Sequence, residues 1–254
     1  MIFDTHAHYD DERFDADRGT LLRGMREKGV GWIVNVGATL DGARESVALA
    51  EKYDFIYAAV GVHPDEVGNL TEEFFAWMRE TARTDPKVVA IGEIGLDYHW
   101  DIEPREVQRE WFVRQMDLAR ELSLPIAVHS REAAQDTMDV ITEHGQGLPG
   151  IIHCYSYSLE MAQEYVRLGY HIGLGGGVTW ENAKKAKKVA AQIPLERIVL
   201  ETDCPYQTPV PHRGERNSSD LLSYVAEEIA RLRGISAEEV IAQTTKNAKE
   251  LFHV

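Results

Sequence analysis

The chain has 254 residues, a formal net charge of −15 and only two cysteines, Cys154 and Cys204. That length suffices for one large core without disulfides, and two distant cysteines fit a reducing compartment. The acidic balance excludes a broad basic face for nucleic acid or anionic membranes, while leaving room for a small electropositive pocket or for bound divalent cations.

No basic segment followed by an apolar stretch opens the chain, and no apolar run approaches the length of a bilayer span. A cytoplasmic location and no membrane partner are therefore expected. Short β-rich runs then alternate with helical stretches. Strands are predicted at 1–8, 31–38, 55–62, 88–95, 125–130, 150–156, 170–177 and 197–203. Several are almost wholly apolar, as parallel strands covered on both faces are. Between them, 105–123 and 158–169 have the apolar spacing of amphipathic helices, and Gly29, Gly169 and Pro194 mark boundaries. The lysine cluster in "NAKKAKKVAAQ", 182–192, reads as the solvated face of an outer helix. The last stretch, 219–252, reads as two helices broken near Gly234, the second capped by Ser236 with Glu239 as its capping-box partner.

Eight alternations without a linker predict one α/β domain over 1–254, a (β/α)8 TIM barrel. An open doubly wound sheet would carry a glycine fingerprint after its first strand, whereas the first turn here reads "HAHYDDERF".

A barrel of this kind builds its site at the C-terminal ends of its strands, and the unusual polar residues fall there. His6 and His8 end the first strand, and alternation would place them on one face with Asp4. His63 follows the third strand, Glu93 lies late in the fourth, His129 ends the fifth, His153 lies in the sixth, and Glu201 and Asp203 end the eighth. His6, His8, Glu93, His129, His153 and Asp203 form a set of imidazole and carboxylate donors suited to zinc, manganese, iron, cobalt or nickel. Six protein donors exceed what one open catalytic zinc site needs. Two ions bridged by Glu93, about 3.5–4 Å apart, use them better, and magnesium also remains open. His99, His144, His171 and His253 are expected to be structural, and Cys154, turned away from His153 by strand alternation, to be packing.

The stretches "DTHAH", "GVHP", "GEIGLDY", "PIAVHSREA", "IHCYS" and "ETDCPYQTPVPHRGERN" together resemble the TatD-type metal-dependent deoxyribonucleases, in order from residue 2 to about residue 252. The resemblance implies a (β/α)8 barrel hydrolysing phosphodiesters at a two-metal centre. His6, His8, Glu93, His129, His153 and Asp203 would bind metal, His63 and Arg131 would sit by the substrate phosphate, and Glu201 would support the ligands from behind. The chain departs from the family pattern at "HCYSYS" (153–158), at Glu215, where a lysine is common, and at Ser218 and Ser219. None of these is a proposed ligand, but Glu215 removes one phosphate contact from the mouth.

The mechanism this implies is attack on phosphorus by a hydroxide held between two divalent ions, with Asp203 accepting the proton of the water and Glu201 assisting. Arg213 and Arg216, in the segment after the last strand, are secondary candidates for phosphate; Tyr98, Trp100 and Tyr155 read first as rim packing, with base stacking as the alternative. The substrate expected is short or single-stranded DNA, attacked as by an exonuclease, and no obligate protein partner is evident. The alternative is hydrolysis of a small amide, ester or lactone at the same metals. Barrels of that kind often bridge their ions with a modified lysine on strand four, and the lysine nearest that strand is Lys87, at its start. More remote is a non-enzymatic, metal-stabilised binding protein, whose closed site would need no open position.

Overall fold

A computed structural model describes residues 1–100 and 102–254. Eight strands run parallel in the order β1 to β8: β1 Ile2–Ala7, β2 Val30–Val36, β3 Ile56–Val60, β4 Val88–Asp97, β5 Ile126–Arg131, β6 Gly150–Ile152, β7 His171–Leu174 and β8 Ile198–Leu200. The outer helices include α1 Arg18–Arg23, α2 Leu40–Lys52, α3 Glu72–Thr84, α4 Arg105–Leu122, α5 Ala134–His144, α6 Leu159–Arg167, α7 Lys184–Gln192, α8 Leu222–Arg233 and α9 Ala237–Phe252. This is the expected (β/α)8 barrel. Helix starts follow local chemistry: Thr39, Thr71 and Ser158 each accept a backbone N–H with the side chain, and Ser236 and Glu239 form the predicted capping box.

The barrel closes beyond the formal end of β8. Asp203 N–H donates to the His6 carbonyl at 2.9 Å and His8 N–H donates to the Cys204 carbonyl at 2.9 Å. Beside this seam the buried Asp4 carboxylate accepts from Thr202 N–H at 3.0 Å, Thr202 Oγ1 at 2.6 Å and Ser219 Oγ at 2.6 Å. Asp4 therefore belongs to the closure rather than to the histidine cluster. A register irregularity between Asp4 and Ala7 interrupts the strict alternation that would have joined them.

Phe3, Val34, Val89, Ile151 and Val199 from the strands share one apolar cluster with Leu251 and Phe252 of α9. Asn247 of α9 donates to the carbonyls of Leu195 and Ile198, at the start of β8. The last helix thus seals the N-terminal end of the barrel. The C-terminal end stays open as a cleft of about 630 Å³. Among the described residues no helix is long and apolar enough to cross a membrane.

Candidate metal centre

Four buried or half-buried imidazoles meet one carboxylate at the mouth of the barrel. Glu93 Oε2 lies 3.5 Å from His6 Nε2 and 3.7 Å from His8 Nε2. Its other oxygen, Oε1, lies 2.8 Å from His129 Nδ1 and 3.4 Å from His153 Nε2. Asp203 completes the first group, with Oδ1 at 3.4 Å from His8 Nε2. Asp203 is held in the left-handed backbone region, φ 56°, which aspartate tolerates better than most residues.

The contacts behind these atoms fix which nitrogen points inward. His8 Nδ1 donates to the Val36 carbonyl at 2.9 Å, because a carbonyl can only accept. His8 Nε2 is thereby turned to the cluster, 3.1 Å from His6 Nε2. His129 Nε2 meets Asp97 Oδ2 at 2.9 Å, which turns Nδ1 to Glu93. His153 spans two acids, its Nε2 facing Glu93 and its Nδ1 lying 3.4 Å from Glu201 Oε1. Glu201 is fully buried and also accepts the backbone N–H of Cys154. Space for its carboxylate comes from Gly173 on β7, where a Cβ would collide with it.

The acids of the cluster are faced by imidazoles. Glu93, Asp97, Glu201 and Asp203 converge, and among the described residues no lysine or arginine pairs with them. Burial opposes ionisation of Glu93, yet His153, His6 and His129 hold its carboxyl well below the usual carboxylate range. Burial also opposes protonation of His8 and His129. The acids overcome it, pushing His8 up to about 10, chiefly through Asp203, and His129 up to about 9, chiefly through Asp97 and Glu93. Buried Glu201 Oε2 and His153 Nδ1 are left without a hydrogen bond. A donor set of four imidazoles with Glu93 and Asp203 fits divalent transition metals.

All six sequence-predicted ligands come together here. His63, half-buried, reaches to 4.0 Å from Glu93 Oε1 and touches His129 ring edge to face at 4.2 Å between centroids. Arg131 lines the cleft, 5.4 Å from the ring of the exposed Trp100, which also meets His99 edge to face. Tyr98 and Tyr155 are engaged instead, donating to Asp136 and to the Ser158 carbonyl. Arg213 lies over the Trp180 ring at 4.3 Å. Arg216 is drawn away from the cleft into a bidentate pair with Asp17, at 2.7 and 2.8 Å.

Three features escaped sequence reasoning. Asp97 ends β4, which runs two residues beyond its predicted limit, and the i+4 spacing from Glu93 was the available signal. Cys154 is not packing: β6 stops at Ile152, so strand alternation does not apply, and Cys154 lines the cleft. Lys184 and Lys185 are solvent-exposed on an outer helix, as expected, but the first turn of α7 also brings both to the cleft wall.

A (β/α)8 barrel with histidines and acids gathered at the C-terminal strand ends defines a metal-dependent hydrolase of the barrel type. Residues 3–253 match the family model described as TatD related DNase, and the chain belongs to that family. A Bacillus subtilis relative, named uncharacterized metal-dependent hydrolase YabD, is 44% identical over the whole of both chains. A relative from Erwinia tasmaniensis, named 3'-5' ssDNA/RNA exonuclease TatD, is 30% identical over the whole of both chains. The crystal structure of YjjV, a TatD homolog from Escherichia coli K12, superposes with a TM-score of 0.93 at 32% identity, covering 100% of this chain and 98% of that one.

Proposed function

We propose that the protein hydrolyses phosphodiester bonds of single-stranded DNA, as an exonuclease, with two divalent cations that share Glu93. One observation carries the two-ion reading: Glu93 presents Oε2 to His6 and His8 and Oε1 to His129 and His153, two imidazoles on each side. His6, His8, Glu93 and Asp203 would hold one ion, and Glu93, His129 and His153 the other. Such a pair, when bound, lowers the pKa of water and stabilises charge on attacking and leaving oxygens.

The chain's own residues supply orientation and proton transfer. Asp203 stands at the rim and faces His8 through Oδ1, so its carboxylate is placed to accept a proton from the attacking water. Glu201 sits behind His153 and the Cys154 backbone and keeps both from moving. Arg131 lines the cleft and His63 stands 4.0 Å from Glu93 Oε1; both would hold the phosphate oxygens, the guanidinium offering paired N–H groups. The family match and the name of the Erwinia relative support DNA as substrate and an exonuclease mode. The imidazole-rich donor set favours zinc, manganese, iron, cobalt or nickel over calcium.

The test is cleavage of a single-stranded DNA oligonucleotide, labelled at either end, by protein stripped of metal and resupplied with Mg²⁺, Mn²⁺ or Zn²⁺. Cleavage that returns with metal, proceeds from one end and is lost in Asp203→Ala is the expected result. Two ions bound per chain with no cleavage under any metal would overturn the DNA reading and turn the search to amides and lactones.

A further inference from the structure

The cleft extends well past the metal-binding cluster. It is lined by His129, His153 and Asp203, by Trp180 from the segment between β7 and α7, and by Lys184 and Lys185 from the first turn of α7. At about 630 Å³ it lies in the size range that encloses a multi-ring ligand, far more than the one phosphate the metal cluster engages.

The two lysines lining the cleft are distinguished from the others by having nothing to do. Their neighbours on α7 are paired, Lys187 with Glu228 and Lys188 with Glu160, each at 3.5 Å. The lysines elsewhere lie against an acid, a carbonyl or an aromatic ring. Among the described residues, Lys184 and Lys185 have no such partner, and both are exposed. Their position also runs against helix electrostatics. They occupy the first turn of α7, which holds no acid, where the helix dipole disfavours positive charge. A local rule broken without local compensation points to a use at that place.

We propose that Lys184 and Lys185 form a second phosphate subsite, which takes the sugar-phosphate backbone of the substrate beyond the bond being cleaved. The inference rests on the nucleic-acid reading of the metal centre and extends it: two exposed ammonium groups on one wall of a cleft suit successive phosphates of a single strand. It also reconciles a net charge of −15 with an anionic polymer substrate, because the attraction is confined to the cleft.

The test compares the metal-loaded enzyme with K184Q/K185Q on two substrates: a single-stranded DNA oligonucleotide and bis(p-nitrophenyl) phosphate, whose single phosphodiester reaches only the metal centre. Oligonucleotide binding is followed in parallel by fluorescence anisotropy with cleavage blocked by Asp203→Ala. The expected result is an oligonucleotide KM raised about tenfold with kcat unchanged. The slope of log affinity against log salt should be shallower by about 1.4, or about 0.7 per lost phosphate contact. Hydrolysis of bis(p-nitrophenyl) phosphate should stay within twofold, and Tm should hold or rise, since glutamine removes positive charge from a helix start. Equal KM and equal salt slope in parent and variant would overturn the subsite. If the parent does not cleave DNA yet binds it with a salt slope that the variant loses, the subsite stands and the nuclease reading falls.

Discussion

Asp97 Oδ2 lies 2.9 Å from His129 Nε2, while the opposite ring nitrogen of His129 lies 2.8 Å from Glu93 Oε1. The imidazole is thus clamped between two acids, and Asp97 also lies close enough to His63 and His129 for the three to share an ion. Asp97 is itself fixed: its Oδ1 accepts from the backbone N–H of His99 and Trp100, at 2.8 and 3.2 Å, and its own N–H donates to Gln108. An asparagine here can present its amide N–H₂ to His129 and favour the wrong tautomer. Asp97→Asn should therefore weaken divalent metal binding about 10- to 100-fold, as loss of such supporting contacts does, with little change in fold. Calorimetric titration with Mn²⁺ or Zn²⁺ reads this directly, and an unchanged affinity would remove Asp97 from the metal centre.

The six metal-binding candidates were legible in sequence because they fall where parallel strands end, and a strand end is visible as an apolar run meeting a polar residue. What the run does not reveal is how far the backbone keeps strand geometry. β6 and β8 are only three residues long, so His153, Glu201 and Asp203 stand on loops beyond them. Alternation holds for residues within a strand and fails one residue later, which is why Cys154 was misplaced. β4 errs the other way, running on to Asp97. The solvated face read for the α7 lysines holds, but periodicity tells only which face of a helix is apolar, not that its first turn reaches the cleft wall.

Gly173 faces the Glu201 carboxylate so closely that an added methyl group would occupy its place. The neighbour is a fully buried carboxyl side chain between Cys154 and His153, not the free end of a flexible chain. Gly173→Ala should lower stability by about 1–3 kcal/mol, the usual cost of overpacking, and should reduce metal-dependent turnover as His153 shifts. Denaturant unfolding and kcat measured together check this; a loss of neither would mean that Glu201 has room to move.

Closure of the barrel depends on a polar seam. Asp4 accepts from Thr202 twice and from Ser219, all within 3.0 Å, and it is fully buried. Asp4→Ala strands those donors without water. Orphaned buried partners cost about 1–3 kcal/mol each, and partial relaxation makes about 3 kcal/mol the expected loss. Asp4→Asn, which keeps one acceptor, should lose less. Urea midpoints for the two variants order them, and an alanine variant as stable as the parent would show that β1 and β8 are held by their backbone bonds alone.

Acid sensitivity should have a component unrelated to the metal centre. His171 opens β7 at the end of the barrel opposite the cleft, is buried, and its Nδ1 has no hydrogen-bond partner. Burial, with Arg197 adding to it, lowers its pKa from 6.5 to about 4. The unfolded chain therefore takes up a proton near pH 6.5 that the folded protein refuses until about pH 4. Stability from this group is complete above pH 6.5 and is lost as the pH falls towards 4. Between about pH 7.5 and about pH 5 the parent should lose about 2 kcal/mol that His171→Gln does not lose. Other carboxylates and histidines titrate in both proteins and cancel in the comparison, because distant sites act additively. Urea unfolding of parent and variant at the two pH values measures the difference. A parallel decline in both would mean that His171 accepts its proton in the folded barrel as readily as in the unfolded chain.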